Sequence, residues 1–294
     1  MLIPRSLSRL PASLRFSFAM TNHDVDRSGR LVLDPKRFGP WALITGASAG
    51  IGREFAHQVA AHGINLVLTA RRGAALDELG QELSGRHGIR YRAVPLDLTR
   101  EDALQTLVTA TDALDVGLVI SNAGDAVPGA FLATPREDHL AIVRLNVLGH
   151  LEIAHHFGQR LAARRRGGLI LVGALGASRG VPFMANAAAT KAYVHSLGEA
   201  LHIELGKQGV TVTVLMPGPT DTEALAKLGV ENPPIKPLSV QQCASEALAS
   251  LAAVRARVVP GRLLRLMFSL IPAGVTRRQT ARMFEAALKP GPST

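Results

Sequence analysis

Trp41-Ala42-Leu43-Ile44-Thr45-Gly46-Ala47-Ser48-Ala49-Gly50-Ile51-Gly52 is the stretch that decides the fold of this chain. A short apolar run ends directly in a glycine-rich turn, and beyond it apolar residues recur at helical spacing as far as His62. Gly46 permits the tight turn, Gly50 lets the backbone approach a ligand, and Gly52 lets the helix lie close against the strand. The helix that opens here points free N–H groups and the positive end of its dipole at the turn, which suits the pyrophosphate of a nucleotide. Glycines at this spacing alone mark only a turn. Their place between a strand and a periodic helix is what makes them a nucleotide-binding signal.

Outward from this unit the chain alternates β-rich runs with helical patterns. Strands are expected at Trp41–Thr45, Asn65–Ala70, Ile89–Pro95, Gly117–Ser121, Leu169–Val172, Val210–Met216 and Arg257–Val259. Helices are expected at Gly50–His62, Leu76–Arg86, Glu101–Ala113, Asn146–Arg165, Asn186–Lys207 and Val240–Val254. This order predicts an α/β fold: a single Rossmann-type, doubly wound parallel sheet of about seven strands with helices on both faces. Ligands then bind outside the carboxyl ends of the strands.

Composition sets limits. At 294 residues, with 47% hydrophobic and 19% charged, the chain suits one large globular domain. Its one cysteine, Cys243, excludes an internal disulfide and a cysteine-based zinc cluster, which fits a reducing, cytoplasmic setting. No apolar run reaches the roughly 18 residues of a membrane-spanning helix. The net charge of +10 comes with only 4% aromatics, and no stacking platform accompanies the arginines, so nucleic acid is not an expected partner. A basic face that attracts anionic ligands is the simpler reading. Residues 1–39 are read as a flexible N-terminal extension; the first 20, with Arg5, Arg9, Arg15 and no acid, also fit a transit peptide or a start at Met20. Residues 40–260 form the folded domain, and 261–294 a basic amphipathic segment. In that segment Leu263, Leu264, Leu266, Met267, Phe268, Leu270 and Ile271 run between arginines, and Arg277, Arg278 and Arg282 follow. It reads as a lid or subunit contact, or as a helix lying on a membrane surface.

The second strand ends in Arg71-Arg72, with no acid to hold a ribose 2′-hydroxyl. Two guanidinium groups suit a 2′-phosphate, so NADP(H) is favoured over NAD(H). With this turn, Asp97-Leu98, Ser121-Asn122-Ala123-Gly124, Asn146, Lys191 and Pro217-Gly218-Pro219-Thr220-Asp221-Thr222 give the chain a pattern that resembles the short-chain dehydrogenase/reductase family over about residues 40 to 260. The resemblance implies an oxidoreductase that transfers hydride on a carbonyl/alcohol pair. It also implies cofactor contacts at Thr45, Gly46, Ser48, Gly50, Ile51, Gly52, Asp97, Leu98, Asn122, Ala123, Gly124, Pro217, Gly218, Thr220 and Thr222. Lys191 would bind the nicotinamide ribose, and Asn146 would hold a backbone kink and a relay water. Members are often homodimers or homotetramers, and a C-terminal segment of this kind suits a small hydrophobic substrate.

The departures fall at the reaction centre. Family members carry a tyrosine four residues before the lysine and a serine thirteen before that; here the positions are Ala187 and Ala174. Alanine can neither donate nor accept a proton. His195 lies one turn beyond Lys191 on the same helix face and is a candidate proton donor, or else a packed histidine. Ser178, in the loop after the fifth strand, is a second candidate, whereas Tyr193 should face away. His150, His155 and His156 share a helix without an acidic or cysteine partner, so no metal site is expected. Three readings stay open: an oxidoreductase with impaired or rerouted proton transfer, a repurposed protein whose cofactor is structural or regulatory, and a Ser/Tyr-to-Ala inactivated reductase. Gly173, where a serine is common, argues for natural change in this loop.

Overall fold

The computed structural model describes residues 33–228 and 236–287. Most of the expected N-terminal extension and the last seven residues of the C-terminal segment lie outside them. Seven parallel strands form the sheet: β1 (Trp41–Thr45), β2 (Asn65–Ala70), β3 (Tyr91–Pro95), β4 (Val116–Ser121), β5 (Gly167–Val172), β6 (Val210–Leu215) and β7 (Arg257–Val258). Their order is β3-β2-β1-β4-β5-β6-β7. The chain therefore winds outward from β1 to β3, then returns to lay β4 on the other side of β1. The crevice between β1 and β4 is the topological switch point, where such sheets take ligands.

In β1, β4, β5 and β6 every residue is buried, with side chains alternating between two covered faces, whereas the edge strands β3 and β7 expose Arg92 and Arg257. Ala42, Ile44, Leu66, Leu68 and Ile120 face one core with α2 (Gly50–Ala60), α3 (Gly73–His87) and α9 (Val240–Ala252). Leu43, Val67, Val119, Leu169 and Val212 face the other, with α4 (Ala103–Thr111), α6 (Gly149–Arg164) and α7 (Ala185–Gly206).

Most boundaries shift by three residues or fewer, and two differ by more. Order starts before Pro40: Asp34 caps α1 (Pro35–Phe38) by accepting from the Lys36 amide, and Leu33 and Phe38 are fully buried. Residues 33–39 thus belong to the core and not to the extension. The helix expected from Asn146 begins earlier, as α5 (Arg136–Val143), and passes through a π-helical turn, Arg144–Leu148, into α6. The widened turn shifts the register of apolar positions, which is why the periodicity appeared to restart at Asn146. At the carboxyl end of β5 a 3₁₀ turn, Leu175–Arg179, leads towards α7, and β6 leads to the short α8 (Glu223–Ala226). The chain closes with α10 (Arg262–Leu270) and α11 (Ala273–Ala287).

Candidate active site

The first turn is built around absent side chains. Gly46 and Gly50 have φ of +66° and +53°, values that L side chains rarely adopt. A Cβ on Gly52 would stand 2.2 Å from the Gly46 carbonyl oxygen, and one on Gly50 would stand 3.1 Å from Thr222 Cγ2. The turn is therefore packed closely against the start of α2 and against Asn122, with no room for side chains at Gly46 or Gly52. Thr45 and Asn122 hold it in place. Thr45 Oγ1 accepts from the amides of Asn122 and Ala123, both at 2.9 Å, and Asn122 Nδ2 donates to the Thr45 carbonyl at 3.0 Å. The Thr45 side chain is fully buried and committed to these bonds, so it pins β1 to β4 and does not face a ligand.

The carboxyl ends of β2 and β3 border a cleft of ≈ 480 Å³ lined by Arg71, Leu96, Asp97 and Arg100 among others. Asp97 Oδ1 accepts from the Thr99 amide and hydroxyl, at 2.9 and 2.8 Å. Those bonds, helped by the nearby Arg71 charge, hold its carboxyl below the usual carboxylate range. Leu98 packs against the core and does not line this cleft, whose apolar members are Pro95 and Leu96. The two arginines separate. Arg72 folds over the glycine turn, donating to Ser48 Oγ at 3.3 Å and to the Ser48 carbonyl at 3.2 Å, while Arg71 lines the cleft. A planar cation beside an open cleft and a glycine cradle at a helix N-terminus fit the 2′-phosphate and pyrophosphate of a dinucleotide.

Lys191, on α7, is half-buried. Its Nζ donates to the Val172 carbonyl at 2.8 Å and lies 3.4 Å from His150 Nε2. Burial lowers its pKa from 10.5 to about 8. His150 Nδ1 in turn meets Ser121 Oγ at 2.7 Å. Burial first, then the Lys191 charge, holds the His150 ring well below the usual histidine range. The ring is thus neutral, accepting from lysine and donating to serine. Gly124 makes room for the lysine, since a Cβ there would stand 2.7 Å from Nζ. Asn146, in the π turn, donates from Nδ2 to the Asp125 carbonyl at 2.9 Å and to Thr190 Oγ1 at 3.0 Å; its Oδ1 accepts from the Asp125 amide at 3.0 Å. It holds the helix kink against the loop after β4.

His195 is not merely packed: it is brought together with the two altered positions. Its Nε2 accepts from the Ala174 amide at 3.3 Å, and its Nδ1 lies 3.3 Å from Ser178 Oγ. A Cβ on Gly173 would stand 2.3 Å from Nε2, so the imidazole occupies space that a side chain at position 173 would contest. Burial lowers the His195 pKa against the raising effect of Glu199. A neutral ring that accepts at Nε2 carries its proton on Nδ1, and so donates to the exposed Ser178 hydroxyl. Ala187 is buried on the same helix, and Tyr193 lies partly exposed on another side of it.

After β6, Pro217 accepts from the Leu175 amide at 2.8 Å, and a Cβ on Gly218 would stand 2.4 Å from Leu264 of α10. Thr220 is buried and donates to the Gly218 carbonyl at 3.0 Å, while Thr222 caps α8. Arg179 clamps the C-terminal helices to the 3₁₀ turn: it donates to the carbonyls of Phe268 and Ile271, and its guanidinium lies 3.9 Å from the Phe268 ring centre. Sequence reasoning missed the Ser121–His150–Lys191 chain. The only signal was His150, four residues after Asn146 and thus one helical turn further on. The Arg179 clamp left no local signal at all.

A parallel doubly wound sheet with a glycine cradle at its switch point, and Lys191 and Asn146 bonded beside the carboxyl ends of β5 and β4, defines a dinucleotide-fold oxidoreductase scaffold. The short chain dehydrogenase model matches residues 40–232, and the chain belongs to that family. It is 36% identical over 183 residues to a very-long-chain 3-oxoacyl-CoA reductase from Pyricularia oryzae, covering 60% of this chain and 55% of that protein. The chain spans about half the length of the first curated relatives it matches. Among solved structures it is similar to a 7beta-hydroxysteroid dehydrogenase, with 28% identity and a TM-score of 0.78 over 85% of this chain and 98% of that one. It is also similar to a short-chain dehydrogenase from Sphingobium yanoikuyae in complex with NADPH, with 27% identity and a TM-score of 0.72, covering 87% and 98%.

Proposed function

We propose that this protein is an NADP(H)-dependent oxidoreductase acting on the carbonyl/alcohol pair of an apolar substrate, with substrate polarisation moved from the usual serine and tyrosine positions to the Ser178–His195 pair. The observation that carries this reading is the fit between Gly173 and His195. Truncating a serine and a tyrosine on an ordinary background would leave two alanines and nothing else. Here a neighbouring glycine and a buried histidine are matched to each other, which favours a rebuilt site over an inactivated one.

Gly46, Gly50, Gly52 and Arg71 would hold the phosphates, and Gly124, Lys191 and the Pro217–Thr222 segment the nicotinamide end. When bound, NADPH supplies the hydride. The chain's own part is polar. The Ser178 hydroxyl, accepting from His195 Nδ1, is free to donate to the substrate oxygen, and donors in series polarise one another. The Lys191 charge stabilises the oxyanion as it forms. Solvent water then delivers the proton that completes the alcohol. The relatives' names, a very-long-chain 3-oxoacyl-CoA reductase and a 7beta-hydroxysteroid dehydrogenase, support an apolar ketone. So do the exposed Phe131 and Leu132 of the loop after β4.

The test is single-turnover consumption of NADPH with a panel of long-chain 3-oxoacyl thioesters and ketosteroids. Turnover is expected, and Ser178→Ala should slow it by roughly 100-fold, the usual effect of removing one oxyanion donor. A second reading, a cofactor-binding protein without turnover, rests on the buried Ala187, which offers no acid. Saturable NADPH binding with no consumption across the panel would favour it.

A further inference from the structure

We propose that the outward face of α10 and α11 docks on an anionic lipid bilayer, an inference that stands apart from the redox chemistry. α10 has two apolar faces. Leu264 and Phe268 point inward, onto Leu175 and Met216. Leu263, Leu266 and Leu270 point outward and are 68%, 56% and 71% exposed. Spaced three and four residues apart, they form one strip along the helix. The strip has no freedom to roll inward. Arg179 holds the Phe268 and Ile271 carbonyls from below, and Arg265 pairs with Glu246 at 3.4 Å on α9.

Charge identifies the occupant. Residues 262–285 carry five arginines, Arg262, Arg265, Arg277, Arg278 and Arg282, against one acid, Glu285. Arg262, Arg277, Arg278 and Arg282 are exposed and, among the described residues, none of the four has a carboxylate within ion-pair distance. A cleft of ≈ 260 Å³ opens at the foot of the strip, with Lys236 and Arg262 beside Leu263 and Leu264. Leucines flanked by unpaired arginines match an acyl boundary beneath phosphate headgroups. A second copy seated on the same face would set one arginine-rich stretch against another. No described helix is long and apolar enough to cross a membrane, so the contact is one of lying on the surface.

Co-flotation of the full chain with vesicles tests this. Phosphatidylcholine vesicles containing one third phosphatidylglycerol should carry the wild type, and pure phosphatidylcholine vesicles should carry at least tenfold less. A Leu263→Gln/Leu266→Gln/Leu270→Gln variant, checked for unchanged thermal unfolding, should lose at least tenfold in binding to the anionic vesicles. If that variant floats as well as the wild type, or the wild type ignores anionic vesicles at low salt, the proposal is overturned. It is equally overturned if the leucine substitutions leave flotation unchanged but convert a dimer to a monomer, because the face is then a contact between copies.

Discussion

The two sides of the cleft are held together by different kinds of packing. On the β1–β4 side every structural requirement of a nucleotide turn is present: positive φ at Gly46 and Gly50, an enclosed Gly52, and the Thr45–Asn122 pins. On the β5–α7 side Lys191 has His150 and Ser121 on one flank, and Gly173, His195 and Ser178 on the other. The first side is fixed by backbone geometry, in which a single added carbon has nowhere to go. The second is fixed by side chains, which can be exchanged when neighbours change together. A change of side chains on the second side can therefore leave the backbone of the first intact.

The comparison breaks most readily at Gly52. Gly52→Ala should destabilise the fold by about 3 kcal/mol, because the new carbon meets backbone and not a movable side chain. Thermal or urea unfolding reads this, and near wild-type stability would show that the turn is softer than its geometry implies. Next in size, Arg71→Ala should weaken NADPH binding by about 10- to 100-fold, the worth of a charge-assisted contact, and leave NADH binding nearly unchanged. Arg72→Ala should change the ratio less, since Arg72 is engaged with Ser48. On the other side of the cleft, Gly173→Ser should cost about 2 kcal/mol by overpacking His195, and His195→Ala should recover about 1 kcal/mol of it in a double-mutant cycle. Independent, additive effects would refute the interlock.

The smallest effect is a pH trend from Lys191. The unfolded chain keeps this amine protonated to about 10.5, whereas the folded protein releases the proton near 8. Between those values the unfolded state binds more protons, so stability from this group rises with pH, by about 1 kcal/mol between pH 8 and 9. Lys191→Met should remove that slope from urea unfolding curves measured across the range. NADPH affinity should fall over the same interval, as the lysine loses its charge.

How much of this was legible in the sequence follows the same division. The parallel, doubly wound sheet and the glycine cradle were readable because they depend on local patterns: alternation of element types, glycines at fixed offsets, and a strand ending in Arg71-Arg72. The missing serine and tyrosine were readable by counting back from Lys191. The π turn was not, because an extra residue in one turn looks like the start of a helix. The Gly173–His195 interlock was not readable either. Its members lie 21 to 22 residues apart, on β5's exit and on α7, and only the fold shows that His195 fills the space beside Gly173. His195 was legible as a candidate from its place one turn beyond Lys191; the hydrogen bonds to Ala174 and Ser178 are what tie it to the Ala174 turn. The two faces of α10 were likewise hidden in one dense apolar run, since packing alone separates Leu264 and Phe268 from Leu263, Leu266 and Leu270.

The most direct test of the central claim is calorimetric titration of NADPH and NADH into the wild type and a Ser178→Ala/His195→Gln variant. An intact cofactor cleft beside a rebuilt reaction centre predicts NADPH bound at least tenfold tighter than NADH, with affinity the same in both proteins. Absence of saturable NADPH binding, or its loss on changing Ser178 and His195, would contradict it.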